Sequence, residues 1–92
     1  MADAKPTVFI DNDRVRVTEW RFAPGAATGW HRHEYDYVVV PVTDGTLLIK
    51  SADGERRVPL VHGAPYYRDL GVEHDVINGG DAELAFIEIE MK

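Results

Sequence analysis

Turn signals interrupt this chain so often that no long helix has room to form. Asp11-Asn12-Asp13, Pro24-Gly25, Thr43-Asp44-Gly45, Asp53-Gly54, His62-Gly63, Asp69-Leu70-Gly71 and Asn78-Gly79-Gly80-Asp81 recur at intervals of roughly 8 to 12 residues, the spacing of an all-β sandwich or barrel. The segments between them are rich in Val, Ile, Tyr, Phe and Thr, side chains that suit a pleated, half-buried surface. They predict strands over 7–10, 14–23, 30–42 as one or two pieces, 46–50, 56–61, 64–68, 72–77 and 83–91. Pro24 ends the second because proline cannot donate to a ladder. The last run alternates, with Ala85, Ile87, Ile89 and Met91 on one face and Phe86, Glu88 and Glu90 on the other, as a half-buried strand does. Asp81, Glu83, Glu88 and Glu90 are then expected to form an exposed acidic face that discourages edge pairing. Eight or nine short strands in 92 residues predict an all-β fold, one domain over 1–92 with a short N-terminal arm over 1–6, closed into a barrel or jelly roll to hide its edges.

A chain this short buries only about 60 to 65 % of its unfolded surface, so a partner subunit, a metal or both would add stability. Lys and Arg total 10 against 16 Asp and Glu, a net charge of −6, and no basic run exceeds Arg56-Arg57. Nucleic acid and anionic membrane surfaces are therefore poor partners, and neither is expected. The absence of cysteine removes disulfides, thiolate nucleophiles, iron–sulfur clusters and Cys-based zinc sites, which leaves His, carboxylate or Tyr for any metal. No apolar leader or membrane-length run is present, and a cytoplasmic location is expected.

The chemistry gathers on histidine. In a strand, side chains two residues apart share a face, so His31 and His33 can offer two imidazoles to one point while Arg32 faces away. His74 is the obvious third ligand, and together the three would leave open positions for water or substrate. Two solvent-facing or core histidines are the structural alternative. His62 reads as a surface loop residue, and Trp20, Phe22 and Trp30 as barrel core or pocket wall. Arg68 is either a solvated edge charge or, if it lines the mouth, a partner for a substrate carboxylate.

The wider pattern is more specific. Gly25, five residues, His31-x-His33 and then Gly45 form one motif; Gly63, five residues, Asp69-x-Gly71, two residues, His74, three residues, Asn78 form another. On these positions the chain resembles the cupin superfamily. Trp30 to His33 followed by Tyr35-Asp36-Tyr37-Val38-Val39-Val40-Pro41 further resembles a small bacterial cupin family labelled β-alanine degradation proteins. The resemblance implies a jelly-roll β-barrel with a metal inside near one mouth, a homodimer, and glycines placed for positive φ or close approach, with Asn78 capping a strand end.

Two departures stand out. The glutamate that usually follows the second histidine is replaced by Tyr37 or, in the neighbouring register, Val38, and the proline of the second motif is Asp69. Alternation from His31 and His33 turns Glu34 and Asp36 outward and Tyr35 and Tyr37 inward. Tyr37 reaches further than a glutamate, and its phenol has a reference pKa near 10. It is expected to act beside the metal as hydrogen-bond donor or general acid, the alternative being a core tyrosine. The expected site is thus His31, His33 and His74 on a divalent Fe, Ni, Mn, Zn or Cu ion, with Tyr37 as the catalytic group. The expected activity is that of a metal-dependent oxygenase, isomerase or decarboxylase on a small polar acid or carbonyl compound. The alternatives are a non-catalytic binding module of a catabolic pathway, and a metal-free enzyme using histidine as base and Tyr37 as acid.

Overall fold

The computed structural model describes residues 2–92, and among them every regular element is a strand. In chain order these are β1 (Lys5–Asp11), β2 (Val15–Phe22), β3 (His31–Arg32), β4 (Asp36–Pro41), β5 (Gly45–Ser51), β6 (Gly54–Leu60), β7 (Tyr66–Arg68), β8 (Glu73–Asn78) and β9 (Leu84–Met91). They form a five-stranded sheet in the order β1-β2-β9-β4-β7 and a four-stranded sheet in the order β3-β8-β5-β6, all paired antiparallel. This is the expected all-β jelly roll. The first strand begins at Lys5, and Ala4 is buried with its N–H donating to the Ala27 carbonyl, so residues 4–6 of the segment expected as an arm are tied into the fold, while Met1 lies outside the described residues.

Register decides which side chains face inward. In the larger sheet Thr18, Glu88, Val39 and Tyr66 pair in one row, and Arg16, Glu90, Tyr37 and Arg68 in the next. Because Thr18, Glu88, Val39 and Tyr37 are buried, both rows belong to the inner face. The smaller sheet answers with Leu47 between Val58 and Asn78, and Ile49 between Arg56 and Val76. Phe22, Phe86, Leu47, Leu60 and Leu84 fill the end of the sandwich away from the histidines.

Two sequence expectations fail here for one reason, strand parity. β9 lies between β2 and β4, not at an edge, and Glu88 is only 8 % exposed. It shares the inner face with Phe86, while Ile87, Ile89 and Met91 point outward; of the expected acidic face only Asp81 and Glu83 are exposed. Trp30 is 57 % exposed, because it precedes His31 and alternation turns it away from the barrel.

The turns use the predicted glycines. Gly71 has φ of 89°, a left-handed conformation costly for other residues, and its N–H donates to the His33 carbonyl. Gly45 is needed for closeness instead: a Cβ there would lie 3.1 Å from Leu84 Cδ2. Asn78 Nδ2 donates to the carbonyls of Phe22 and Ala82, and its Oδ1 accepts from Gly80 N–H, joining the two sheets at the closed end.

Candidate metal centre

His31 and His74 sit directly opposite one another across β3 and β8, and His33 follows immediately after β3. All three rings turn to one point. His31 Nε2 lies 3.0 Å from His33 Nε2, which lies 3.1 Å from His74 Nε2, and one nitrogen from each ring falls within 4.8 Å of the others. Nitrogens about 2.0 to 2.1 Å from a shared ion and at right angles to one another would be about 3.0 Å apart. The donor set therefore fits a divalent metal bound on one face by three imidazoles.

Protonation favours the same use. His31 Nδ1 is 2.9 Å from the Gly29 carbonyl, an acceptor only, so Nδ1 carries the proton and Nε2 presents its lone pair. Burial, followed by the nearby His31, lowers His33 to about 4. His74 is lowered to about 3, first by burial and then by His31, His33, Arg56 and Arg68. Both rings are neutral at pH 7 and free to bind a cation.

Tyr37 stacks on His33 with ring centroids 3.9 Å apart and planes 19° from parallel. Burial and then Glu88 hold its phenol well above the ordinary range, against the opposing influence of Arg68 and Arg56, so the hydroxyl stays protonated. Glu88 Oε1 lies 3.9 Å from His33 Nδ1. That separation admits an ion pair, but burial, reinforced by Glu90 and opposed by Arg16, pushes Glu88 up to about 8. With His33 neutral as well, the contact at pH 7 is polar and uncharged.

Two cavities adjoin the histidines. An interior one of about 50 Å³ is lined by His33, His74, Tyr37, Tyr66, Arg56, Arg68 and Glu88 over an apolar floor that includes Val76 and Phe86. An outer groove of about 240 Å³ runs past His31, Trp20, Tyr35, Arg16, Glu34 and Glu90. Tyr35, expected to point inward with Tyr37, lies on this groove. His62 is a loop residue whose backbone N–H donates to Asp44 Oδ1. Sequence reasoning missed Glu88 and Arg56. Parity already put Glu88 on the face of Phe86; which face of β9 turns inward is what the structure adds.

The pattern of the Cupin domain family matches residues 18–90. The chain is a cupin. This cupin is 61 % identical over 89 residues to the beta-alanine degradation protein BauB of Pseudomonas aeruginosa, with 97 % of this chain and 94 % of BauB covered. A cupin domain from Bordetella pertussis, 57 % identical, has a crystal structure that superposes with a TM-score of 0.97 over 99 % of this chain and 95 % of that one. A cupin-2 domain protein of Shewanella frigidimarina, 25 % identical, superposes at 0.67 over 96 % and 80 %.

Proposed function

We propose that this cupin is a metal-dependent enzyme of the oxygenase, isomerase or decarboxylase type acting on a small polar acid or carbonyl compound, with His31, His33 and His74 as metal ligands and Tyr37 as proton donor. The observation that carries it is the convergence of three imidazole nitrogens beside an interior cavity. Bound there, a divalent Fe, Ni, Mn, Zn or Cu ion supplies Lewis acidity, undiminished by any anionic ligand among the three. The chain's own residues do the rest. The Gly29 carbonyl fixes the His31 tautomer, the Tyr37 ring stacks on His33, and the role we assign to the Tyr37 hydroxyl, on a residue that lines the cavity, is donation to a substrate oxygen. The apolar floor limits water around the reacting atoms.

A non-catalytic sensor or accessory module would need only the ligands and a pocket. The further polar groups on the cavity wall, Tyr37, Tyr66, Arg56, Arg68 and Glu88, favour an enzyme. The name of BauB supports a place in β-alanine degradation, and the anticipated setting is cytoplasmic; no helix of the described residues is long and apolar enough to cross a membrane. The partner we assign is a second copy of the chain. Ile10, Val17, Ile89, Val38 and Tyr67 pair in one apolar row across the outer face of all five strands, and β1 leaves an open edge, so two copies present identical complementary surfaces.

Elemental analysis after metal loading tests the site. About one divalent ion per chain is expected in the wild type and far less in His31→Ala and His74→Ala. Unchanged content in both variants would end the three-histidine reading. Substrate screening of the loaded protein, with an oxygen electrode, then separates enzyme from binding module.

A further inference from the structure

The interior cavity has two unlike ends. Its histidines come from the β3/β8 side of the sandwich, whereas its two arginines come from β6 and β7, the strands at the opposite edge of each sheet. Register puts both side chains on the cavity face, Arg68 paired with buried Tyr37 and Arg56 with buried Ile49, and both line the cavity, Arg68 half-buried and Arg56 exposed at its mouth. Arg68 lies over the Tyr66 ring, its guanidinium carbon 4.4 Å from the centroid, and donates from Nη1 to the Tyr67 carbonyl at 2.8 Å. That contact uses one of the guanidinium's five N–H groups and fixes its plane. Among the described residues no carboxylate lies in ion-pair range of Arg56 or Arg68; Arg14, Arg32 and Arg57 are likewise unpaired, but none of those three lines this cavity.

Two cations with no carboxylate in ion-pair range, on a cavity whose other end carries His33, His74 and the buried Glu88, define a ligand by its chemistry. We infer that the cavity takes a short-chain carboxylate, its carboxylate gripped by Arg56 and Arg68 and a second oxygen directed toward the three histidines. This deepens the reading above and rests on it for the histidine end alone. The 50 Å³ volume, at about 10 to 15 Å³ for each water-sized occupant, admits only a molecule of a few non-hydrogen atoms, the rest extending into the mouth. The wider outer groove suits an anion less. Its cations are Arg16, which stands 3.8 to 3.9 Å from Asp11 and Glu90 with its Nε buried and without a hydrogen-bond partner, and Arg32, but Glu34, Glu88 and Glu90 set three carboxyl groups on the same wall.

The test compares 3-hydroxypropionate with its uncharged amide, 3-hydroxypropanamide, by calorimetry and by chemical shifts of the metal-loaded and metal-free full chain. The acid is expected to bind the loaded wild type about tenfold or more tightly than the amide. Arg68→Gln should abolish that preference, Arg56→Gln should reduce it, and Arg68→Lys should retain part of it. Equal affinity of acid and amide, no measurable binding of either, or an undiminished preference in both Gln variants would overturn the inference. Metal content measured in the same samples keeps the two readings apart. Loss of acid preference with one metal per chain supports the arginine end, while absent metal with acid preference intact in the metal-free chain would sink only the histidine reading.

Discussion

At the scale of single residues the site is set by what each ring touches on its far side. His31 is fixed by a backbone carbonyl and His33 by the face of Tyr37. Tyr37→Phe keeps that stacking surface and removes only the hydroxyl, so metal content should stay near wild type while turnover falls about 100-fold or more if the phenol is the proton donor; paired metal and rate measurements check this. Tyr37→Glu would bring an anion toward three neutral ligands, and chelator competition should report tighter metal retention. Weaker retention with a lower melting temperature would reject the placement of Tyr37 beside the metal, and no other residue of β4 takes its place, since Val38 faces outward. Spacing offered His31 and His33 on one face with His74 as a third, and the resemblance to the cupin motifs made that set specific; Tyr37 is inward as expected, although the same alternation misplaced Tyr35, because the strand breaks between His33 and Asp36. Glu88 was not legible, because β9 carries apolar side chains on both faces and the sequence could not say which set meets the opposite sheet. Its burial is an outcome of β9 lying between β2 and β4, a pairing fixed by long-range contacts.

At the scale of elements, turn residues located nearly every strand, and boundaries moved by a residue or two where flanking chain joined a ladder. The segment expected over 30–42 as one or two pieces forms two, β3 and β4, parted at His33-Glu34-Tyr35. The break leaves the histidine rings at the cavity while β4 crosses to the other sheet, a corner no propensity scale registers. The start of β5 is as tightly specified. A methyl at Gly45 would meet Leu84, itself almost fully buried, at 3.1 to 3.3 Å, so Gly45→Ala should cost about 1 to 2 kcal/mol and lower the melting temperature by roughly 4 to 8 °C per kcal/mol. A thermal melt of the variant with normal metal content would isolate this packing effect from the site.

For the whole molecule, stability and pH are linked through the buried site groups. In the metal-free protein His33 and His74 have folded pKa values below the unfolded value of 6.5, so their contribution is intact above about 6.5 and is lost as pH falls through about 4 and 3. Glu88 runs the other way: raised from 4.5 to about 8, it contributes fully below 4.5 and loses that contribution as pH rises through about 8. The melting temperature of the metal-free chain should therefore peak at about pH 6 to 7, and Glu88→Gln should remove the alkaline decline, adding roughly 1 to 3 kcal/mol at pH 8. A decline of equal size in the variant would assign it elsewhere. Association is read by sedimentation at micromolar concentration, where the expected species has twice the 10.3 kDa chain mass. Ile89→Lys, on the outer row, should shift it to monomer while leaving the metal in place.

β3 contributes only two paired residues to its ladder, and it is an edge strand. Nevertheless it and the residue after it carry two of the three imidazoles, while the third stands directly across on β8. An ion gripped by all three would therefore act as a rivet through the weakest seam of the barrel, and that seam should open far less often once it is in place. Amide hydrogens of Arg32 and His33 should exchange with solvent markedly more slowly in the loaded protein than in the stripped one, while those of β2 and β9 keep the same rates, so that loss of the ion unlatches one corner without loosening the rest.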